Sequence, residues 1–548
     1  MNKEEKELLA GIWSAYEYGR DYKSRIGLYS RVAENERFYR GDQWRGVDSE
    51  GLPTPVFNLV RRVASYLVSS IMGYKVSVRF DDSALTLSDS SPARREAREN
   101  LETLSRLIGD RWERQGMDKI FRDALTDAVI SGDGVFYCWF DGNVSSDTGH
   151  RGDIRTSVIA GVDLFAADMN SPDIQSQDYV IISGRRSVAA LRAEARRKGV
   201  SESDILSIVP ESTDTESISS DGELYENEDD GAGKCRYLIR FSRDDRGFVK
   251  FEKVTKNVVI SRVQTGLRYY PIVLFNWEAK KNSLHGSTPI SEMIGNQKYI
   301  NKAFAMEMKH MIDTAFSKVI YDKRLIPEWN NEVGQAIGVM SGGDVSGAVT
   351  TVGVGQMQEG YIDIIDRVIT YTKELAGATD TALGEVDPTN TSAILALREA
   401  ADLPLDGVRI ELYRAIEELS LVWVDMAKEY MPSGVKYLFG DQTIGYLDLT
   451  RINVDDIRAK VEIGTSRRYS SSVMLSTLNS LLDKGYISFE EYLEQLPDGV
   501  IDSRDALLRE VRSRRADADE KAKESEHLKG EEKDVGRDDD DRGDGGTK

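Results

Sequence analysis

Only two cysteines, Cys138 and Cys235, occur in 548 residues, and they lie far apart. A disulfide framework is therefore not expected, and a reducing compartment suits the chain. Both cysteines sit in apolar, strand-like settings, which predicts two buried thiols. The four histidines, His150, His285, His310 and His527, have no second histidine or cysteine at ligand spacing. That scarcity argues against a zinc site. No Gly-x-x-x-x-Gly-Lys-Ser/Thr segment is present, which excludes ATP hydrolysis by a P-loop. No uninterrupted apolar run reaches the roughly 18 residues that a membrane span needs. Met1 to Glu7 has no apolar core, so no secretory signal is expected there. Positive charge is also short: 72 Lys and Arg stand against 93 Asp and Glu, a formal net charge of -21. Such a chain is not built to grip nucleic acid by neutralising phosphates. It can still surround DNA without holding it, because acidic walls repel phosphates.

What is present is a globular composition, 40% apolar and 30% charged, long enough for several domains. Residues 3–45 carry Trp13, Tyr16, Tyr22, Tyr29 and Phe38 at helical spacing and predict one or two amphipathic helices. Asn58 is placed to cap a helix running to about Met72. A strand is expected over 75–80, helices over 92–112 and 117–131, and strands over 135–140, 154–165 and 178–186. Further strands are expected over 235–241, 248–255 and 257–262. The first 285 residues thus read as a mixed domain of helix and sheet. Residues 211–231 hold nine acidic residues and no Lys or Arg, which predicts a mobile surface loop.

From Thr288 the pattern changes. Ile290, Met293, Ile294, Ile300, Phe304, Met308, Met311 and Ile312 recur at helical spacing, with Thr288 as N-cap and Pro289 at the first helical position. A helix of roughly 40 Å follows from the 1.5 Å rise per residue. A β-like, glycine-rich insert spans 318–356, and a second helix is expected from Tyr361 to about Leu383. A short polar loop, with Glu385, Asp387, Thr389, Asn390, Thr391 and Ser392, leads into a helix over 393–431 that should kink at Pro404. Strands are expected over 435–439 and 459–464. Short helices are expected over 473–484, 489–495 and 503–515, with Gly485 stopping the first and Ser488 and Glu491 forming a capping box for the second. Residues 516–548 hold 13 acidic and 7 basic residues and predict a disordered tail.

No constellation reads as catalytic. Asp455-Asp456 and Asp538 to Asp541 are read as solvated carboxylates. Arg185, Arg186, Arg192, Arg196, Arg197 and Lys198 cluster near one short helix, and pairing with acidic neighbours such as Glu194 is the simpler reading. The 473–495 pair resembles a helix-turn-helix in outline, but its second helix is acidic and would be repelled by a phosphate-lined groove.

Three segments together resemble the portal proteins of tailed double-stranded DNA bacteriophages. They are Phe38-Tyr39-Arg40-Gly41-Asp42-Gln43-Trp44, the run Leu284 to Phe304 with Gly295-Asn296-Gln297-Lys298-Tyr299-Ile300-Asn301, and Thr389 to Leu397. The resemblance implies an α+β, mainly helical fold that forms rings of about twelve copies. Its wing would be 1–287 with 432–469 returning to it. Stem helices would be 288–317 and 358–383, with the clip at 318–357. A tunnel loop would follow at 384–392, a kinked helix at 393–431 and a crown at 470–515. Tyr321, Lys323, Arg324, Trp329 and Asn331 would serve docking and subunit contact in the clip, and Glu385 to Ser392 would face DNA. Such a protein would meet the terminase large subunit, the head–tail connector or adaptor, and the major capsid and scaffold proteins. It would pass double-stranded DNA without reading its sequence, at a virion vertex, and would assemble in the host cytoplasm. No cofactor and no membrane contact are implied. Two rivals fit the composition: a virion scaffold or adaptor of another kind, and a Mg²⁺-dependent nuclease, for which the clustered acids are not found.

Overall fold

The computed structural model describes residues 2–73, 76–81, 92–145, 151–210, 233–315, 319–329, 337–340, 347–351, 360–378, 403–431, 435–438, 444–449, 454, 457–463, 470–496, 507–508 and 510–511. The loop 211–231 and the tail 516–548 lie outside them. Two compact units form, one over 1–72 and 76–462 and one over 73–75 and 463–548. Among the described residues helix predominates over strand, so the α+β, mainly helical expectation holds at that level.

The first unit opens with α1 (Lys3–Arg25) and α2 (Leu28–Arg40), separated by Gly27 in the left-handed conformation. Asn58 caps α3 (Leu59–Ile71) by accepting from the Arg61 amide. Then follow β1 (Val76–Asp81), α4 (Pro92–Gln115) and α5 (Met117–Ser131). Strand β2 (Asp133–Ser145) pairs antiparallel with β3 (Arg151–Ile159) on one side. Its other neighbour is β9 (Ile272–Asn276), also antiparallel.

A five-stranded antiparallel sheet stands beside this one. Its strands are β4 (Leu164–Ala166), β5 (Tyr179–Ser187), β6 (Lys234–Arg243), β7 (Val249–Thr255) and β8 (Val259–Gln264), in that order. Helix α1 covers it with Leu9, Ile12 and Tyr16, which bury Phe165, Ile181, Leu238 and Val254. Short helices α6 (Val188–Arg197) and α7 (Glu202–Leu206) pack Leu191, Ala195 and Ile205 against Cys235 and Ile260. The expected strand 154–165 is interrupted: a 3-10 turn at Gly161–Asp163 separates β3 from β4. Strand β9 was not expected, because Ile272 to Asn276 is buried throughout and shows no alternation.

Two longer helices leave this body and one returns. They are α8 (Pro289–Ala315), α9 (Gly360–Leu375) and α10 (Asp406–Tyr430). Between the first two, β10 (Val319–Tyr321) pairs antiparallel with β11 (Val349–Thr351). Helix α10 lies across β9, β2 and β3 and buries Leu412, Ile416, Leu419 and Trp423. Asp406 and Glu411 pair with Arg409 and Arg414 of the same helix, whereas three other acids bind backbone. Asp425 accepts from the Arg268 and Tyr269 amides at 2.7 and 3.0 Å, and Glu429 accepts from Gly266 at 2.9 Å. Glu417 accepts from the Val461 amide at 2.9 Å. The chain closes this unit with the hairpin β12 (Val435–Leu438) and β13 (Ile444–Leu447), then β14 (Arg458–Ile463), which pairs with β1. A strand near the start and one near residue 460 therefore share one small sheet.

The second unit contains α11 (Ser470–Asp483) and α12 (Phe489–Gln495). Gly485 ends α11 with φ +70°, and the Tyr486 amide bonds back to Leu481. Ser488 and Glu491 make the expected capping box.

Candidate functional site

Among the described residues, the α8–α9 pair gathers several large exposed apolar side chains, among them Met308, Met311, Ile312, Ile364, Tyr371 and Leu375. The pair begins where α5 meets β2. Gly132 follows α5 with φ +100°, and its backbone crosses that of Gly286 so closely that a Cβ on either would lie under 3 Å from the other's carbonyl oxygen. Asp133, next in the chain, is 1% exposed. Its Oδ1 accepts from Asn276 Nδ2 and from the Gly286 amide, both at 2.8 Å. Its Oδ2 lies 2.6 Å from His285 Nδ1. Burial holds His285 below the usual imidazole range, and Asp133 only partly offsets that. Neutral His285 therefore donates its Nδ1 proton to the carboxylate.

Lys23 is buried nearby. Its Nζ donates to the carbonyls of Gly161, Val162 and Leu164, and burial pushes its pKa down to about 7. Thr288 bonds to the Val129 carbonyl and accepts from the Ile290 amide at 3.2 Å, so it caps α8 as expected. Asn35 of α2 exchanges hydrogen bonds with Ser291 at 2.9 and 3.0 Å.

One turn further on, an amide chain ties α8 to the 38–44 segment. Gln297 Oε1 accepts from the Leu59 and Val60 amides, the open N-terminus of α3, at 3.0 and 3.3 Å. Its Nε2 donates to the Phe57 carbonyl and to Asn301 Oδ1, each at 2.9 Å. Asn301 Nδ2 donates to Gln43 Oε1 at 2.6 Å, and Gln43 Nε2 donates to the Phe38 carbonyl at 2.9 Å. All three amides are buried. Trp44 Nε1 donates to the Pro55 carbonyl at 2.8 Å and holds the intervening loop.

The pair is antiparallel. Asn296 Nδ2 donates to Thr372 Oγ1 at 3.0 Å, and further out the Tyr361 hydroxyl donates to the Met306 sulfur at 3.5 Å. Helix α9 stops at Leu375, not near Leu383. Gly377 takes φ +73°, its amide bonds to Glu374 and the Ala378 amide bonds to Lys373. This left-handed ending satisfies the last carbonyls and turns the chain away. Pro404 lies beside it: a Cβ on Gly377 would be 3.7 Å from Pro404 Cβ. Gly377 and Pro404 thus lie side by side, and the adjoining Ala378 and Leu405 are buried. Pro404 belongs to a 3-10 turn, Leu403–Leu405, that runs directly into α10. The kink expected there involves the preceding turn, and 393–402 lie outside the described residues.

Of the residues expected to act, Tyr321 and Trp329 are brought together, with ring centroids 5.4 Å apart and stacked. Arg324 pairs with Asp322 at 3.2 Å, and Lys323 is exposed. Ile326 and Ala348, close in sequence to β10 and β11, are buried. Asn331 and the loop Glu385, Asp387, Thr389, Asn390, Thr391 and Ser392 lie outside the described residues. The basic cluster is engaged: Arg186 pairs with Glu194, Arg196 with Glu202, and Arg192 donates to the Ile208 carbonyl. Asp133 and His285 were missed as a pair. The only local signal was Gly132-Asp133-Gly134 between a helix and a strand, and nothing in the sequence joined it to His285. Among the described residues no three His, Cys, Asp or Glu side chains converge to hold a metal. Likewise no described helix is long and apolar enough to cross a membrane.

No curated protein matches the chain. The family model described as phage P22-like portal protein matches residues 16–439, well over half of the chain, and spans both ends of the amide chain and the whole α8–α9 excursion. The chain therefore belongs to the phage P22-like portal protein family, whose members are structural proteins of the capsid vertex through which the genome is packaged.

Proposed function

We propose that the protein forms a closed ring of about twelve copies, with 1–287 and 432–469 as wing, 288–317 and 358–383 as stem, and 318–357 as clip. The loop 384–392 would face the DNA, 393–431 would return the chain to the wing, and 470–515 would form the crown. The clip, with Tyr321, Lys323, Arg324, Trp329 and Asn331, would meet the terminase large subunit during packaging and the head–tail connector afterwards. The wing would seat in the major capsid and scaffold proteins while the particle assembles in the host cytoplasm. DNA would pass without sequence recognition and without chemistry at the portal. Roughly −250 formal charges on a dozen copies favour passage over adhesion.

The observation that carries the ring is the uncovered apolar surface of the α8–α9 pair, where Met311 is 62% and Leu375 83% exposed. A single copy leaves these side chains in water, and a rotationally closed set of copies would cover them. Native mass spectrometry with negative-stain imaging tests the reading. A ring near twelve copies with a central hole supports it, and a persistent monomer or dimer over a range of salt and concentration overturns it. Deleting 387–391 should leave the ring intact and impair packaging or retention of DNA.

A further inference from the structure

The apolar stripe of α8 has two halves with different fates. Its first half, Ile290, Met293, Ile294, Gln297, Ile300 and Asn301, is buried against α2, α3 and α5. At the same helical spacing the stripe continues through Phe304, Met308, Met311 and Ile312. There the body has ended. Phe57 reaches it, its ring tilted 33° against Phe304 with centroids 4.2 Å apart while itself 50% exposed. Met308 is 39% and Ile312 45% exposed. Helix α9 does not cover this half, because it packs through Thr372 and Tyr361 on the face carrying Asn296 and Met306.

Helix α9 has an open stripe of its own. Ile365 and Thr372 are its buried residues, whereas Ile364, Tyr371 and Leu375, spaced seven and four apart, are exposed.

Resting on the ring reading above, we infer that the outer half of the α8 stripe, with Val56 and Phe57, receives the Ile364–Tyr371–Leu375 stripe of the neighbouring copy. The occupant is a second copy of this chain because the two surfaces differ, sit on different faces of one helix pair and cannot meet within a chain. A pair of unlike faces on each copy makes a head-to-tail contact, which closes into a ring by repetition. The rims are mixed in charge. Lys302 and Glu307 flank the α8 stripe beside Lys298 and Lys309, which pair with Glu34 and Asp313 of their own chain. Asp363, Arg367 and Glu374 lie beside the α9 stripe, so apolar burial and not ion pairing would hold the contact. The proline-containing loop before α3 gains a role: Trp44 and Gln297 hold it so that Phe57 extends the α8 surface toward the neighbour.

The test uses the full chain with a photo-crosslinking benzoylphenylalanine at Met308, and separately at Ile364. Nitrogen-15-labelled and unlabelled copies are mixed before assembly. The expected products join position 308 to residues 360–375 of a differently labelled copy, and position 364 to 56–57 or 304–312. Products confined to one chain, or mapping elsewhere, in rings that native mass spectrometry shows intact would overturn this interface and leave the ring reading standing. Absence of any ring would overturn both. As a second arm, Met311→Asp and Leu375→Asp should each lower the ring fraction at least tenfold at equal concentration with the melting temperature of the single copy unchanged. Rings persisting in both variants would reject the contact.

Discussion

The side-chain amide of Asn301 donates to Oε1 of Gln43 at 2.6 Å across 258 positions of sequence. Through Gln297 the same chain of amides reaches the open N-terminus of α3. Each amide uses both its donor and its acceptor side, so removing one strands the others in a dry core. Asn301→Leu should cost about 1–3 kcal/mol, the penalty of leaving a buried polar group unpaired. Gln43→Leu should cost a comparable amount. The double variant should lose less than the sum, with a coupling of about 0.5–3 kcal/mol, since each partner is already stranded by the first change. Urea unfolding of the four proteins measures this, and strictly additive losses would show that the relay is not a unit.

Gly132 and Gly286 make the sharpest steric prediction. A Cβ on Gly132 would lie 2.7 Å from the Gly286 carbonyl oxygen, and one on Gly286 would lie 2.6 Å from that of Gly132. Neither neighbour is a flexible side-chain end, so backbone must move. Gly132→Ala also forces a side chain onto φ +100°. Each alanine should cost roughly 2 kcal/mol or more and loosen the seat of α8. Gly11→Ala is the control: nothing lies within 4 Å of its Cβ, and in the helix interior alanine should stabilise by up to about 1 kcal/mol. Thermal melting and soluble yield compare the three.

The contrast between these junctions and the helices explains what could be read from sequence. Helix α5 and the capped helix α12 appear where local signals put them, because caps and periodicity act within a few residues. The start of α8 at Thr288-Pro289 is legible for the same reason. Strand β9 is not, since a run buried on both faces has no period to detect. The end of α9 misleads because apolar spacing continues past Leu375 while Gly377 turns the chain. The Asp133–His285 contact and the Gln43–Asn301–Gln297 relay are long-range pairings of ordinary polar residues. The motif order includes both ends of the relay, but nothing in it shows that they touch.

Pro404 and Gly377 stand together where the chain leaves and re-enters the body. Pro404 lies in the 3-10 turn ahead of the N-cap Leu405, outside the hydrogen-bond ladder of α10. Pro404→Ala should therefore leave α10 in place, held by Asp425, Glu429 and Trp423, and cost under about 1 kcal/mol through the freer unfolded chain. Gly377 is the more sensitive partner. Its 3.7 Å Cβ contact with Pro404 is tolerable, but φ +73° costs an L-residue about 1–2 kcal/mol. Asparagine adopts that conformation more readily than alanine, so stability should fall in the order wild type, Gly377→Asn, Gly377→Ala. Melting temperatures in a different order would place the strain elsewhere.

Asp127 of α5 gives a pH test with a definite sign. Burial, aided by the nearby Glu36 and Asp123 carboxylates, pushes its pKa up from 3.8 to about 7. Between about pH 4 and pH 7 the folded chain keeps a proton on Asp127 that the unfolded chain has released. The folded state thus binds more protons, and this group's contribution to stability falls as pH rises through that window. Asparagine is neutral throughout and avoids the loss. Asp127→Asn should therefore melt above wild type at pH 8 and converge on it near pH 4. The gap should open between those values, because desolvation of a charge, not loss of a contact, is what the substitution removes. Other titrating groups, His285 and Lys23 among them, are common to both proteins and cancel in the difference. Scanning calorimetry at five pH values decides the matter: parallel curves with a constant offset would mean that Asp127 titrates normally and that its carboxylate is solvated in the folded chain.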